Sequence, residues 1–217
     1  MWKDEGGRMK DERVALRLTT QRVDLQAAAR LLGAGELVVF PTDTVYGIGC
    51  DAWNVAAIEQ LYVAKERERA KGLPILISDM AVLPRVMAGA LSQLEQRLVA
   101  RFWPGGLTLI VPRHPALPAN IAPGESIAVR LPQLASCRAM IRAAGGAIAV
   151  SSANLSGYEA AISAETATKM LGTRVAAIVD GGRSSGILPS TIIDCRTGQP
   201  RIIRMGALDV TTFLQDL

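Results

Sequence analysis

The stretch Leu61–Ile77, LYVAKERERAKGLPILI, places Lys65, Glu66, Arg67, Glu68, Arg69 and Lys71 between an apolar helical phrase and an apolar strand phrase. Cations so arranged suit an anion such as a phosphate. A solvated helix end has the same composition, because Lys and Arg complement the dipole at a C-terminus and the glutamates offer local pairing. Three features favour the anion. The run ends at Gly72 and enters a core strand, so the charges lie at a sheet edge, where open α/β sheets bind ligands. Lys65 and Arg67 are two apart and converge on one ligand only where the helix unwinds. Polar, glycine-bearing phrases also follow strand-like runs elsewhere: PTDTVYGIG at 41–49 after LVVF, and SSANLSG at 151–157 after AIAV. Their hydroxyls, amides and backbone N–H groups can bind an anion, although the same residues also build turns. Arg130 at the end of IAVR, the pair Ser190-Thr191 and the phrase RIIRMG at 201–206 add hydroxyls and cations. The set predicts a cradle for a nucleotide or polyphosphate.

Competing chemistries have little to stand on. No GxxxxGK[ST] phosphate loop is present, and Gly47-Ile48-Gly49 lacks the third glycine of a dinucleotide fingerprint. The only histidine, His114, sits in PRHP and reads as an exposed loop residue. Histidine-based triads, Cys-His pairs and multi-histidine metal sites are thereby close to excluded. Cys50, Cys137 and Cys195 are far apart with no CxxC spacing, which predicts reduced, buried thiols of a cytosolic protein. A net charge of +4 and a pI near 9.2 favour anionic partners without demanding nucleic acid. With three each of Phe, Trp and Tyr, stacking platforms for single-stranded RNA are scarce.

Elements to position these residues follow from periodicity and capping. Helices are expected over 24–34 with a stop at Gly35, over 55–65 with Asn54 as N-cap, and over 92–102 with a Ser92-Glu95 capping box. Others are expected after Asp79 and over 136–144 and 163–171, and the stretch 209–217 closes the chain. Strands are expected over 37–40, 74–77, 107–111, 127–131, 147–150, 175–179, 191–193 and 201–203. Hydrophobic residues make up 49 % of the chain at a mean hydropathy of +0.24, ample for a core. No apolar run approaches the roughly eighteen residues of a membrane span, and the charged N-terminus lacks a signal-peptide core. Helices and strands interleave without linker or repeat, which predicts one α/β domain on a mixed sheet over 21–217 behind an N-terminal extension at 1–20.

Seven phrases in this order resemble the YrdC/Sua5 family of threonylcarbamoyl-AMP synthases. They are PTDTVYGIG at 41–49, Lys65-x-Arg67, WPGGLTLIV at 103–111, SIAVRLP at 126–132, SSANLSG at 151–157, STIID at 190–194 and RIIRMG at 201–206. The resemblance runs from about Ala28 to Gly206 and is nearest to the short, single-domain form. It implies a twisted mixed sheet flanked by helices around a large concave basic surface. The activity implied is condensation of L-threonine, bicarbonate or CO2 and ATP into threonylcarbamoyl-AMP and pyrophosphate, with Mg²⁺ accompanying ATP. The product would pass to a tRNA-modifying transferase, with direct RNA contact as a further expectation.

Carried over by position, Lys65, Arg67, Ser152 and Asn154 surround the nucleotide, with Lys65 and Arg67 as the triphosphate clamp and catalytic pair. Lys71, Ser126 and Arg204 match further nucleotide-side positions. Thr42 matches the threonine-binding position, and Arg130 and Ser190 lie near the amino-acid carboxylate. Glu66 and Glu68 are expected to face solvent or pair with Arg69. Glu68, Gly72, Leu76 and Met205 depart from the family pattern: proline is usual at 68, 72 and 205, and histidine at 76 in many long members. Two alternatives remain, an RNA-binding module of the same fold and a relative that makes a carbamoyl-adenylate for another acceptor.

Overall fold

The computed structural model describes residues 14–215, so expectations for 1–13 and for the last two residues lie outside the described residues. Ten strands form one mixed sheet. They are β1 (Leu16–Thr19), β2 (Val38–Phe40), β3 (Gly47–Asp51), β4 (Ile75–Ile77), β5 (Leu107–Pro112), β6 (Ser126–Arg130), β7 (Ala147–Ser152), β8 (Ala177–Asp180), β9 (Thr191–Asp194) and β10 (Arg201–Arg204). Their order is β1-β8-β2-β3-β7-β4-β6-β5-β9-β10. Six α-helices accompany them: α1 (Arg22–Gly33), α2 (Val55–Lys65), α3 (Gln93–Phe102), α4 (Ala135–Ala143), α5 (Ala164–Leu171) and α6 (Thr211–Gln215).

Strand side chains alternate between the two sheet faces. Val38 and Phe40 of β2 and Ile148 and Val150 of β7 pack with Leu25 and Leu32 of α1 and Met140 and Ile141 of α4. Val39, Ala147 and Ala149 point the other way and join the larger core, with Ile58 and Leu61 of α2, Leu98 of α3 and Ala167 of α5. The sheet is thus sandwiched between helical layers, as a chain of interleaved helices and strands requires.

Local signals set several element ends. Asn54 Oδ1 accepts the Ala57 N–H at 3.0 Å and opens α2. Ser92 and Glu95 form the reciprocal capping box of α3. Asp79 caps a 3-10 helix over Met80–Arg85.

Two strands differ from expectation. β1 lies in the stretch assigned to the N-terminal extension, yet it pairs in parallel with β8, so the sheet begins upstream of residue 21. β3 occupies much of what the sequence presents as a glycine-bearing loop, and it pairs antiparallel with both β2 and β7. The reason is the Phe40 ring on the neighbouring strand. A Cβ at Gly47 would sit 3.2 Å from that ring, and one at Gly49 would sit 3.0 Å from it and 3.0 Å from the Ala149 carbonyl. These glycines make room for an aromatic ring rather than for a turn.

That geometry yields a test against strand propensity. Gly49→Val raises intrinsic β preference, yet overpacking against Phe40 should destabilise the protein by about 1–3 kcal/mol in urea unfolding.

Candidate active site

A cavity of about 780 Å³ opens where β2, β4, β5, β6, β7 and β9 present strand ends and adjoining loops. Thr42, Arg130, Ser152, Asn154, Ser190 and Arg204, all expected from sequence, line it. So does Leu76, one of the departures from the family pattern. Lys65 and Arg67 do not line the cavity directly, and Lys71 and Ser126 are not among its lining residues.

Helix α2 stops at Lys65 because Glu66 turns left-handed, at φ 53°. The helix therefore unwinds between Lys65 and Arg67, as their spacing requires. Lys65 is 1 % exposed and reaches the cavity wall from behind. Its Nζ donates to the Ser152 carbonyl at 2.5 Å, the Asn154 carbonyl at 2.5 Å and Asn154 Oδ1 at 3.3 Å. These three acceptors use all three ammonium donors. The Lys65 carbonyl in turn accepts the Ser156 N–H at 3.0 Å. Lys65 thus holds the SSANLSG loop at both ends of its residue, and its charge lies under the cavity wall. Burial, followed by repulsion from Arg67, lowers its pKa to about 7.

Arg67 folds back along its own segment. Its Nε donates to the Lys71 carbonyl at 2.9 Å, and its Nη2 donates to the Lys71 carbonyl and to Gly72 O at 2.9 Å. Gly72 is needed there, since a Cβ would come within 2.8 Å of Ala122 Cβ. Glu66 and Glu68 face solvent, one of the two expected outcomes, and the charges of the run take partners that the sequence did not indicate. Arg69 binds Glu59 and lies over the Tyr62 ring, Glu66 pairs with Arg174, and Glu68 pairs with Lys71. Neither Glu66 nor Glu68 pairs with Arg69, because the left-handed turn at Glu66 sends the chain away from the helix axis.

At the other end of the cavity, the loop between β2 and β3 organises Arg130. Its Nη1 donates to Thr44 Oγ1 at 2.8 Å, and its Nε donates to the Gly105 carbonyl at 2.9 Å. Nη2 is buried and lies 2.7 Å from Asp43 Oδ2, an ion pair that offsets the guanidinium charge. The other Asp43 oxygen accepts the Gln133 N–H at 2.9 Å. Thr42 Oγ1 donates to the Val45 carbonyl at 2.6 Å and accepts the Thr44 N–H at 3.1 Å, which shapes the loop. Asp43, Thr44 and Thr108 escape the sequence-based set. The first two sit inside the PTDT phrase and could have been found there.

Arg204 leaves the exposed edge strand β10 to bind the Ser190 carbonyl through Nε at 3.1 Å and Nη2 at 2.8 Å. Ser190 Oγ also meets Thr108 Oγ1 at 2.7 Å. Gly206 permits this closure, since a Cβ there would lie 2.1 Å from the Pro189 carbonyl oxygen. Desolvation of the guanidinium, then Arg130 and Arg67, lower the Arg204 pKa. Desolvation likewise lowers that of Arg67. Arg130 has Asp43 as its counter-charge, whereas Arg67 and Arg204 are held by carbonyls, and a polyanion would relieve their repulsion.

Other chemistry is quiet. Burial pushes the Cys50 and Cys137 thiols up to about 12 and Cys195 to about 11, far from thiolate reactivity. His114 lies half-buried in its loop, where Nδ1 accepts the Ala116 N–H at 3.1 Å. Among the described residues, no group of three or more His, Cys, Asp or Glu could hold a metal ion. Glu159 is the one carboxylate lining the cavity.

A family model for Sua5/YciO/YrdC, described as telomere recombination, matches residues 30–206. The threonylcarbamoyl-AMP synthase of Bacillus subtilis (strain 168) is 39% identical over 88% of this chain, which spans 56% of that relative. The enzyme of the same name from Thiobacillus denitrificans is 36% identical over 77% of this chain and 89% of its own length. The crystal structure of P. abyssi Sua5 complexed with L-threonine superposes with a TM-score of 0.86 at 31% identity, covering 93% of this chain and 59% of that one. With the match extending over most of its length, the chain belongs to the Sua5/YciO/YrdC family.

Proposed function

We propose that this protein condenses L-threonine, bicarbonate or CO2 and ATP into threonylcarbamoyl-AMP and pyrophosphate. The observation that carries the reading is one cavity lined by Arg130 and Arg204 together with hydroxyl and amide side chains, in a chain whose relatives bear that enzyme name. Arg130, held by Asp43 and Thr44 on the cavity wall near Thr42, suits the carboxylate of an amino acid. Arg67 and Arg204, held by backbone carbonyls, suit phosphates.

The reaction needs no histidine. The neutral threonine amine adds to CO2, forming the N–C bond, and loses a proton to solvent to give a carbamate. A carbamate oxygen then bonds to the α-phosphorus, the bond from that phosphorus to the bridging oxygen breaks, and pyrophosphate leaves. The protein's work is positioning and charge neutralisation, which preorganised guanidiniums supply without rearranging. Mg²⁺ delivered on the triphosphate would share the leaving group's charge, and Glu159 is the lining carboxylate that could hold it. The adenylate would pass to a tRNA-modifying transferase in the cytoplasm. No helix among the described residues is long and apolar enough to cross a membrane. An RNA-binding module has weaker support, because Trp103 is buried and Phe102 packs edge-on against Phe213.

Pyrophosphate release should require threonine, bicarbonate and ATP together. Equal release without threonine, or with glycine in its place, would overturn the substrate assignment.

Arg67→Ala should lower kcat/KM for ATP by about one to two decades, the worth of a charge-assisted contact realised in the transition state. Arg69→Ala loses only its exposed pairing with Glu59 and Tyr62 and should stay near wild type. Melting temperatures of both variants control for folding, and equally mild kinetics would place the phosphates elsewhere.

Lys65 makes ATP binding proton-linked. In the empty site burial and Arg67 hold its pKa down at about 7, so protonation is incomplete at pH 8. A nearby polyphosphate raises that pKa and draws a proton on. Calorimetry at pH 8 in buffers of different ionisation enthalpy should show net proton uptake of up to about one, absent in Lys65→Met.

A further inference from the structure

The two arginines that line the cavity are held in different ways. Arg204 Nη2 donates to the Ser190 carbonyl at 2.8 Å and to Ser190 Oγ at 3.3 Å. These partners orient the guanidinium without cancelling its charge. Arg130 has a carboxylate instead. Asp43 Oδ2 lies 2.7 Å from its Nη2, and the two side chains are only 13% and 6% exposed. Asp43 is not among the residues that line the cavity, so it meets Arg130 from outside it. Orientation alone does not call for this carboxylate, because Thr44 Oγ1 and the Gly105 carbonyl already take Nη1 and Nε. Its distinct effect is on charge.

Asp43 is itself fixed by its surroundings. Its Oδ1 accepts the Gln133 N–H at 2.9 Å, and its main-chain carbonyl accepts the Ser185 hydroxyl at 3.4 Å. Thr42 Oγ1 accepts the Thr44 N–H at 3.1 Å and so pins the backbone on either side of it. The Arg130 end of the cavity is therefore close to neutral, while Arg204 keeps a whole positive charge. A zwitterionic amino acid suits the neutral end, because its ammonium group offsets its carboxylate. A phosphate group brings more than one negative charge and meets the Asp43 carboxylate as repulsion. Repelling the wrong ligand discriminates as well as attracting the right one.

We propose that Asp43 is a specificity-determining residue, which offsets the charge of Arg130 so that the amino-acid end of the cavity rejects phosphate groups. The proposal rests on the reading above that Arg130 faces the carboxylate of threonine. A triphosphate entering the same cavity is thereby steered to the Arg204 end, and the two substrates do not exchange places. Asp43 acts through Arg130 and touches neither of them.

The test follows formation of threonylcarbamoyl-AMP at saturating ATP with threonine varied, with and without added inorganic phosphate. Saturating ATP keeps phosphate out of the Arg204 end, so a change in KM for threonine reads the Arg130 end. Phosphate should leave that KM unchanged in wild type and in Asp43→Glu, which keeps the charge. In Asp43→Asn it should raise KM about tenfold, because an uncompensated guanidinium now attracts phosphate. Removing one partner of a buried ion pair endangers folding, so Gln133→Lys serves as a second variant. Residue 133 is exposed and its N–H already meets Asp43, so a lysine there adds a cation near the carboxylate and should give the same competition more weakly. A merely structural ion pair would lower the melting temperature or kcat without making phosphate compete with threonine. Competition absent from folded Asp43→Asn overturns the proposal, as does competition absent from Gln133→Lys where Asp43→Asn fails to fold. Competition in wild type, or equally strong in Asp43→Glu, also overturns it. Wild-type protein that forms no threonylcarbamoyl-AMP overturns the substrate reading itself, and the role of Asp43 falls with it.

Discussion

A buried ammonium group governs this site. Leaving the charge of Lys65 under a protein wall is costly unless every donor is satisfied, and three acceptors from two residues, Ser152 and Asn154, satisfy it. The constraint spreads outward. Helix α2 must end where the lysine can reach those acceptors, β7 must end at Ser152, and the loop beyond must turn Asn154 inward. The charged run that follows α2 is then the exit path from this arrangement. Its outer members settle into surface pairs, and Arg67 alone turns back to bind its own segment.

The guanidiniums share one design. Arg67, Arg130 and Arg204 each spend part of their donor set on backbone carbonyls, which fixes the plane of the group before any ligand arrives. A free arginine would lose rotamer entropy on binding, and these have already lost it during folding. The accompanying repulsion among Arg67, Arg130 and Arg204 favours whatever anion enters.

Legibility from sequence followed the range of the interactions. Asn54 as a cap, the Ser92-Glu95 box and the end of α2 depend on residues within a turn of one another, and they stand where the sequence places them. Glycines 47 and 49 depend on a ring from another strand, so their local signal pointed to a loop. Arg130 and Arg204 were identifiable as cations at strand ends, but their partners Asp43, Thr44 and Ser190 come from distant segments. Lys65, Arg67, Lys71 and Ser126 show the limit of reasoning by position, since none of the four is among the residues that line the cavity.

The sheet order bears on how the cavity comes into being. β9 pairs with β5 across a long crossover, and β10, which carries Arg204, pairs only with β9 at the edge. The β5–β9 pairing is non-local and carries the larger loop-closure cost, whereas β10 follows β9 as a hairpin. During synthesis, the residues from Thr42 to Asn154 can assemble a partial pocket while Ser190 and Arg204 are still being made. The cavity therefore gains its Arg204 guanidinium only once β10 has been made and has docked onto the sheet edge.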